Sequence, residues 1–239
     1  MAGTAETLRT PGESTRLVRH LSTADRIHDD LRRRIIALEL QPGSTLHRNE
    51  LARAYGVSQT PLRDAMQRLA EEGLLDIFRQ SRTIVSLIDT AEMAETQFLR
   101  MSLETELVGR LSVARPPDVL GRLRSLHGDL HRLVGDLARM ERFDDIDRAF
   151  HMTMYDACGM GGLHAMLQAR SGHLMRIRRL ELPMEGKMRV IAEEHAQILE
   201  AIEAGAAERA RDALRAHISG AYERVSRLKD RFPHFFTSA

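Results

Sequence analysis

Apolar residues recur every three or four positions over most of this chain, which is the spacing of one face of an α-helix. A first helix is therefore predicted to begin near Thr23. Its apolar stripe consists of Ala24, Ile27, Leu31, Ile35 and Leu38. A turn is predicted to follow at Gln41-Pro42-Gly43, because proline and glycine interrupt helices.

Residues 44–75 contain two short apolar stripes separated by a glycine, which predicts two helices joined by a tight turn. Gly56 ends the first helix, since glycine is the usual residue just past a helix end. Ser58 or Thr60 caps the second helix, and Pro61 fits its first turn because no N–H donor is needed there.

The second helix of this pair separates apolar from polar positions. Its inward face is predicted to hold Leu62, Ala65, Met66 and Leu69. Its outward face is predicted to hold Gln59, Thr60, Arg63, Asp64 and Gln67. Such a polar face suits the N-terminal end of a recognition helix in the major groove of DNA. Two β-branched runs around a polar, basic tip follow at residues 76–87, and they predict a hairpin wing.

The remaining chain has helical periodicity and no alternating strand pattern, so we expect an all-α antiparallel helical bundle. Six helices are predicted, one of which could be split. They cover residues 91–114, the stripe from Leu120 to Leu137, and residues 143–158, 163–182, 184–204 and 206–231. Phe98, Met101 and Leu107 are predicted to be buried positions of the first helix.

These patterns predict a mainly α fold with two domains and two tails. Residues 1–22 form a flexible tail, 23–88 a winged helix-turn-helix domain, 89–232 a helical domain and 233–239 a C-terminal tail. A chain of 239 residues is long enough for two modest domains.

Composition narrows the class of protein. An apolar content of 43% and a charged content of 29% are typical of a globular chain. The N-terminus lacks an apolar signal core, and no apolar run approaches the roughly 20 residues of a membrane span. The single cysteine, Cys158, fits a reducing compartment, so we expect a cytoplasmic protein that does not contact a membrane. Residues 24–88 hold ten arginines and nine acidic residues, a net charge of +1, so DNA affinity must come from where the arginines point.

Four residues of the helical half have the chemistry of a metal site. Asp147 and His151 are four residues apart and project from one face of a helix. His195 and His217 lie at the apolar edges of two later helices. Three imidazoles and one carboxylate suit a borderline divalent ion such as Zn²⁺, with Ni²⁺ and Mn²⁺ as alternatives.

Spacing alone does not distinguish a metal site from histidines that are hydrogen-bonded in a core. The chain has eleven histidines, and His127 and His131 repeat the same spacing without an obvious third partner. On spacing alone, both interpretations stay open.

The segment GVSQTPLRDAMQRLAEEGLL, residues 56–75, closely resembles the recognition-helix region of the GntR family of bacterial transcription regulators. The resemblance extends from Ala24 to about Ile88 and implies a winged helix-turn-helix domain that binds double-stranded DNA. Together with the helix faces, it implies DNA contacts by Arg48, Ser58, Gln59, Thr60, Pro61, Arg63, Arg68, Arg79 and Arg82.

The sequence departs from the family pattern at two places. Gln59 stands where most members have an arginine, and glutamine pairs with adenine whereas arginine prefers guanine. The wing tip lacks the usual glycine, so Arg79 and Arg82 are expected on phosphates.

Residues 90–230 resemble the FCD effector domain of the FadR branch of that family. Many such domains bind a metal through a D-x-x-x-H pair, a histidine in an E-H-x-x-I-x-x-A-I segment and a later A-H-I histidine. The matching residues here are Asp147, His151, His195 and His217. The resemblance also implies that Arg100 reaches toward a bound organic acid, whereas the alternative is an exposed ion pair between Arg100 and Glu104.

The resulting hypothesis is a metabolite-responsive transcription regulator, acting as a repressor, and not an enzyme. A homodimer would bind a pseudo-palindromic operator and sense a small carboxylate at the metal centre. One alternative keeps DNA binding but gives the metal a purely structural role, with a different effector such as an acyl-CoA. A second alternative is a metal-dependent hydrolase with Glu194 as the base, which leaves the N-terminal half unexplained.

Overall fold

A computed structural model of the protein describes residues 21–78 and 82–238. The predicted tail over residues 1–22 lies outside the described residues except for its last two positions, and Arg79 at the wing tip lies outside them as well. Within the described ranges, no helix is both long and apolar enough to cross a membrane.

The N-terminal domain is a winged helix-turn-helix, as predicted. Its elements are α1 (Thr23–Ile36), β1 (Thr45–Leu46), α2 (Arg48–Tyr55), α3 (Gln59–Glu71), β2 (Leu75–Ile77) and β3 (Thr83–Val85). The strands form an antiparallel sheet in the order β1-β3-β2. The predicted hairpin corresponds to β2 and β3, whereas β1 has only two residues and too little sequence to show a pattern.

Local chemistry sets the ends of these helices. The Ser22 hydroxyl accepts from the backbone N–H of Asp25, whose carboxylate accepts in return from the backbone N–H of Ser22, so the two form a capping box at the start of α1. Gly56 ends α2 at φ 63°, a left-handed conformation that favours glycine. Ser58, and not Thr60, occupies the N-cap position of α3, without a side-chain cap hydrogen bond. The core between the helices consists of Ile27, Leu31, Ile35, Leu62, Ala65, Met66, Leu69, Leu74 and Val85.

The C-terminal domain is an antiparallel helical bundle. Its helices are α4 (Thr90–Ala114), α5 (Pro117–Arg132), α6 (Met140–Ala157), α7 (Gly161–Arg170), α8 (Gly172–Glu181), α9 (Lys187–Glu203) and α10 (Ala207–Arg231). Short 3₁₀ turns lie at Leu137–Arg139 and Pro233–Phe235. The helix predicted over residues 163–182 is split into α7 and α8 at Ser171, whose hydroxyl donates to the carbonyl of Leu167 at 2.6 Å.

The prediction that Phe98 is buried is wrong, because 70% of its surface is exposed. The interior face of α4 instead carries the polar residues Gln97 and Glu104, which are 5% and 1% exposed. A sequence pattern places the apolar residues of a helix on its buried face. Where polar residues occupy buried positions, the pattern therefore indicates the wrong face. Leu137 is also exposed, because α5 has ended before it.

The C-terminal segment is packed against the protein, and describing residues 233–239 as a tail is therefore wrong for its described part. Phe235 and Phe236 are buried. The backbone N–H of Ile88 donates to the carbonyl of Phe235 at 2.8 Å, and the N–H of Thr237 donates to the carbonyl of Ile88 at 3.1 Å. The end of the chain is thereby attached to the linker between the two domains.

Helix α8 also holds this linker. Arg176 is fully buried, and its guanidinium donates to the carbonyl of Ser86 at 2.6 Å and to the Ser86 hydroxyl at 3.3 Å. The ring Nδ1 of His173 accepts from the backbone N–H of Asp89 at 2.9 Å. Both ends of the linker are therefore bonded to the same helix.

The beginning of α8 lies directly against the N-terminal domain. A Cβ added to Gly172 would lie 2.6 Å from Cδ2 of Leu74, a side chain that is itself fully buried. Only a glycine permits so close an approach of helix and side chain.

We expect Gly172→Ala to lower the free energy of unfolding by about 1–3 kcal/mol, because the added Cβ would displace the fully buried Leu74 side chain, whose Cδ2 and Cγ lie 2.6 and 3.1 Å away. Gly162→Ala in α7 is the matched control, since no described atom lies within 4 Å of its added Cβ. The control should be neutral or slightly stabilising. Chemical denaturation followed by circular dichroism measures both variants, and equal stabilities would contradict the close domain contact.

Candidate metal centre and DNA-binding surface

Three helices direct four metal-ligand side chains to one point in the bundle. Asp147 and His151 come from α6, His195 from α9 and His217 from α10. One possible ligand atom from each residue lies within 4.8 Å of the others, and none of the four residues is more than 6% exposed. The sequence-predicted residues are therefore brought together. We call this group the His/Asp cluster.

The three imidazole rings lie close to one another, with His151 and His217 stacked and His195 edge-on to both. Their centroids are 5.2 Å apart for His151 and His195, 4.8 Å for His195 and His217, and 5.3 Å for His151 and His217. Phe150 stacks on His195 with a centroid distance of 4.3 Å. Both ring nitrogens of His195, Nε2 of His151 and Oδ1 of Asp147 are buried and make no hydrogen bond with a described residue. Nε2 of His195 and Oδ1 of Asp147 lie 3.3 Å from each other. Buried polar atoms normally have a partner, so these atoms point to a missing ligand.

A second layer of charged residues orients the cluster. The Asp147 carboxylate accepts from Arg178 through Oδ2 at 2.7 Å. Nδ1 of His217 lies 2.8 Å from Glu194, and Nδ1 of His151 lies 2.7 Å from Glu104. Carboxylates at Nδ1 leave Nε2 of both rings for a metal and increase its basicity.

Burial and neighbouring charges set the protonation of the cluster. Burial lowers the pKa of His151, and burial together with the other two histidines lowers the pKa of His217 well below its usual value. Burial raises the pKa of Asp147, but Arg178 and His195 outweigh it and hold this pKa well below its usual value. The two histidines are therefore neutral and the aspartate ionised at pH 7, which are the forms that bind metals.

The donor set fits one divalent ion. Three imidazole nitrogens and one carboxylate oxygen are ligands of borderline metals such as Zn²⁺. Ligands about 2.1 Å from one ion lie at most about 4.2 Å apart, so the present spread of 4.8 Å needs only a small closing movement. One ion could bind both Nε2 of His195 and Oδ1 of Asp147, which lie 3.3 Å apart and make no hydrogen bond.

Two small cavities lie beside the His/Asp cluster, with volumes of about 40 and 20 Å³. Arg100 and Arg178 line both cavities. Arg100 donates through Nε to Glu104 at 2.9 Å, so the ion pair named as the alternative exists. It is buried rather than exposed, however, because Glu104 is 1% and the Arg100 side chain 11% exposed. A ligand in either cavity would therefore lie beside the Arg100 guanidinium.

The polar face of α3 is exposed, and the structure places four of the predicted DNA contacts near its beginning. Ser58, Gln59, Thr60 and Arg63 are exposed, whereas Pro61 is half-buried. The Gln59 amide donates to the Asn49 side chain at 3.0 Å. Arg63 has one ion pair within the described chain, at 3.9 Å to Asp64, and its side chain is 74% exposed.

The other predicted DNA contacts are partly engaged within the protein. Arg48 donates to the Thr83 hydroxyl at 2.9 Å and thereby joins α2 to the wing. Arg68 lies 2.7 Å from Asp25 at the beginning of α1. Arg82 is exposed beside the ring of Phe78, and Arg79 lies outside the described residues. These bonds position the side chains, and DNA contact by them stays a prediction.

The sequence did not identify Arg178 as part of the site. It lies in the run RIRRLE, which is typical of a solvated helix face. The sequence indicates Glu104 only as an ion-pair partner of Arg100, and Glu194 only as the base of the alternative hydrolase. Helical spacing brings together residues of one helix, whereas these contacts join different helices, so no local pattern indicates them.

Comparisons with known proteins agree with both halves of this description. A profile described as FCD domain matches residues 95–220, and one described as bacterial regulatory proteins, gntR family, matches residues 23–85. The chain is 34% identical to an uncharacterized HTH-type transcriptional regulator in an unstable DNA locus of Streptomyces ambofaciens, over 89% of both chains. It is 30% identical to the gluconate operon transcriptional repressor of Bacillus licheniformis, over 56% of this chain and 54% of that one. The solved structure of Escherichia coli McbR/YncC, at 24% identity, covers 89% of this chain and 100% of its own with a TM-score of 0.67, which shows a shared fold.

Replacing one cluster histidine should abolish metal binding. We expect wild type to hold about one metal ion per chain and His195→Ala to lose it, because the affinity depends on the complete donor set. His131→Ala is the matched control, since His131 is an exposed histidine on α5 outside the cluster. Elemental analysis after reconstitution with Zn²⁺, Ni²⁺ or Mn²⁺ measures the stoichiometry. A similar metal content in wild type and His195→Ala would show that the cluster is not the site.

Proposed function

We propose that this chain, which belongs to the gntR family of bacterial regulatory proteins and carries an FCD domain, is a repressor that a small organic acid controls through a bound metal. Membership of the family makes it a transcription regulator rather than an enzyme. The single observation that carries the proposal is the buried His/Asp cluster with its unpartnered ligand atoms beside Arg100.

In this proposal the N-terminal domain binds an operator in the cytoplasm. The exposed face of α3 enters the major groove, with Gln59 and Arg63 at base edges and with Arg48, Arg68 and Arg82 toward phosphates. A homodimer would place two such helices on the half-sites of a pseudo-palindromic operator. The repressor named among the relatives supports the direction of control.

The metal is held by Asp147, His151, His195 and His217, and Zn²⁺ is the ion that we propose, with Ni²⁺ and Mn²⁺ as alternatives. When bound, the metal ion would supply a positive charge, and it would have coordination positions that the oxygens of a carboxylate can occupy. Arg100 holds the same acid from the other side, through the guanidinium nitrogens that Glu104 does not use. Cavities of about 40 and 20 Å³ hold only one or a few water molecules. The acid is therefore small, or the cavities open as it binds.

A short chain of hydrogen bonds connects this site with the recognition helix. Gln168 of α7 lines the larger of the two cavities, and its backbone carbonyl accepts from Arg32 of α1 at 2.8 Å. Arg32 also donates to Glu72 at 2.8 Å, and Glu72 is the C-cap residue of α3. His28 lies 2.6 Å from the same carboxylate. A movement of α7 is therefore transmitted to the end of the recognition helix through one arginine.

A second possibility has a specific observation in its favour. The small cavities and the ion pair of Arg100 with Glu104 fit a metal that serves only to hold α6, α9 and α10 together. A different effector would then act elsewhere. If the metal raises the melting temperature without changing the affinity for any acid, this possibility replaces the first.

Replacing Arg63 should weaken operator binding. We expect Arg63→Ala to cost about 1–3 kcal/mol of binding free energy and to relax the base preference at one position. The reason is that the Arg63 guanidinium is exposed on the outward face of α3, near the beginning of the helix. Arg122→Ala, an exposed arginine on α5, is the control. Fluorescence anisotropy at fixed salt, with DNA selected in vitro from random duplexes, measures both. Unchanged affinity and unchanged sequence preference would mean that α3 does not read the operator as proposed.

Replacing Arg32 should uncouple the acid from DNA binding. The acid for this test is one that raises the melting temperature of wild type but not of His195→Ala. In Arg32→Met we expect the change in operator affinity caused by this acid to shrink at least about fivefold, because the link between α7 and α3 is lost. Metal content should be unchanged.

Arg33→Met is the matched control, because Arg33 lies beside Arg32 on α1 but pairs with Asp30 and Glu39 of the same domain. It should respond to the acid like wild type. If Arg32→Met retains the full response, the route through α7 is wrong. If no acid distinguishes wild type from His195→Ala, carboxylate sensing at the metal fails as a whole.

A further inference from the structure

A larger cavity lies where α1 of the N-terminal domain faces the helical bundle. Its volume is about 300 Å³, against about 40 and 20 Å³ for the cavities at the His/Asp cluster. Roughly 300 Å³ is the lower end of the range of pockets that bind small organic molecules. Residues of α1, α6, α7 and α8 line it, and we call it the interdomain cleft. The function proposed above places no ligand in the interdomain cleft.

Helix α1 has a second face that is directed at this cleft. Its core stripe runs through Ile27, Leu31 and Ile35, but Asp29, Arg32, Arg33 and Ile36 line the cleft at spacings of three, four and seven. Ile36 is half-buried and lies outside the apolar core of its own domain. From the opposite side, α8 contributes Met175, Arg179 and Leu182 at spacings of four and seven. The cleft therefore combines apolar side chains with cations from both domains.

The arginines at the cleft differ in whether they are already paired. Arg32, Arg33 and Arg148 have carboxylate partners at 2.8, 2.7 and 3.0 Å. Arg179 is half-buried and makes no ion pair or hydrogen bond with any described residue. A guanidinium that is partly removed from water and has no partner favours binding of an anion.

The acidic residues at the cleft do not occupy Arg179. Asp144 lies within 3.2 Å of Arg178 and also pairs with Arg148, and Asp29 lies 2.9 Å from His28. Glu141 is exposed. Arg179 and the exposed Glu141 are the two charged lining residues without an ion-pair partner among the described residues. A single unpaired guanidinium suits a ligand that carries one carboxylate.

We propose that the interdomain cleft is a second ligand site, which binds an organic monocarboxylate with an apolar body. Its carboxylate pairs with Arg179, and its apolar part lies between Ile36 of the N-terminal domain and Met175 and Leu182 of the bundle. Such a ligand touches both domains at once, so it stabilises the domain arrangement in which these side chains face each other.

The cleft and the cavity at the His/Asp cluster share a wall. Asp144, Arg148, Gln168 and Met175 line both. A ligand in the cleft therefore contacts residues that also border the proposed acid site, and binding at one place changes affinity at the other if these side chains move.

Isothermal titration of the full-length, metal-loaded protein with benzoate, phenylacetate and hexanoate tests the proposal. We expect at least one of them to bind with a Kd of about 1 mM or tighter. Acetate, which has no apolar body, and benzamide, which has no charge, should bind at least about tenfold more weakly. Arg179→Gln should weaken the tight probe at least about tenfold, whereas Arg122→Gln should leave its affinity unchanged. Arg100→Gln distinguishes the two sites, because Arg100 lines the cavity at the His/Asp cluster and not the cleft.

Three results would overturn the proposal. One is the absence of binding by all three carboxylates up to about 10 mM. Another is equal affinity in wild type and Arg179→Gln, with the melting temperature showing that both are folded. The third is loss of binding in Arg100→Gln but not in Arg179→Gln, which would place the probe in the cavity at the His/Asp cluster. None of these results bears on metal binding, which the metal content of His195→Ala tests separately.

Discussion

The burial of one carboxylate and three imidazoles in the middle of a helical bundle is the constraint on which the effector domain depends. Polar groups removed from water cost free energy unless each finds a partner. Glu104 of α4, Arg178 of α8 and Glu194 of α9 supply such partners to the His/Asp cluster. Nε2 of His195 and Oδ1 of Asp147 lie 3.3 Å apart without a hydrogen bond, and a metal ion is a partner that the chemistry of both atoms fits. The helices of the bundle are thus held around a polar centre as well as an apolar one.

This constraint explains where the sequence patterns succeeded and where they failed. Asp147 and His151 share one helix face, so their spacing could be recognised, and the family motifs indicated His195 and His217. Phe98 was misplaced because Gln97 and Glu104 occupy the interior positions of α4 that apolar residues normally fill. Arg178 could not be predicted, since its contact with the cluster joins two helices and leaves no periodic trace.

The junction between the domains was equally inaccessible to sequence patterns. Arg176 lies in a run of charged residues, which is typical of a solvated helix face, yet it is fully buried against Ser86. Burial lowers its pKa to about 10, which still leaves it charged at pH 7. Phe235 and Phe236 close to the end of the chain gave no periodic signal, although they pack beside Ile88 of the linker. Both contacts join parts of the chain that are far apart in sequence, and only the folded structure shows them.

The hydrogen bonds of Arg32 are strong enough to account for the proposed coupling between the acid site and operator binding. Allosteric coupling between two sites is usually about 1–3 kcal/mol, and one hydrogen bond to a charged group contributes about 1.5–3 kcal/mol. Arg32 makes two such bonds, one to the α7 carbonyl of Gln168 and one to Glu72 at the end of α3. In the function proposed above, losing one of these bonds in one domain arrangement would be enough to change operator affinity by this amount. The linker is also bonded to α8, at Ser86 and at Asp89. The proposed acid can act as a switch only if it binds two domain arrangements with different affinities, and the bonds of Arg32 and of the linker are the contacts in which two such arrangements would differ.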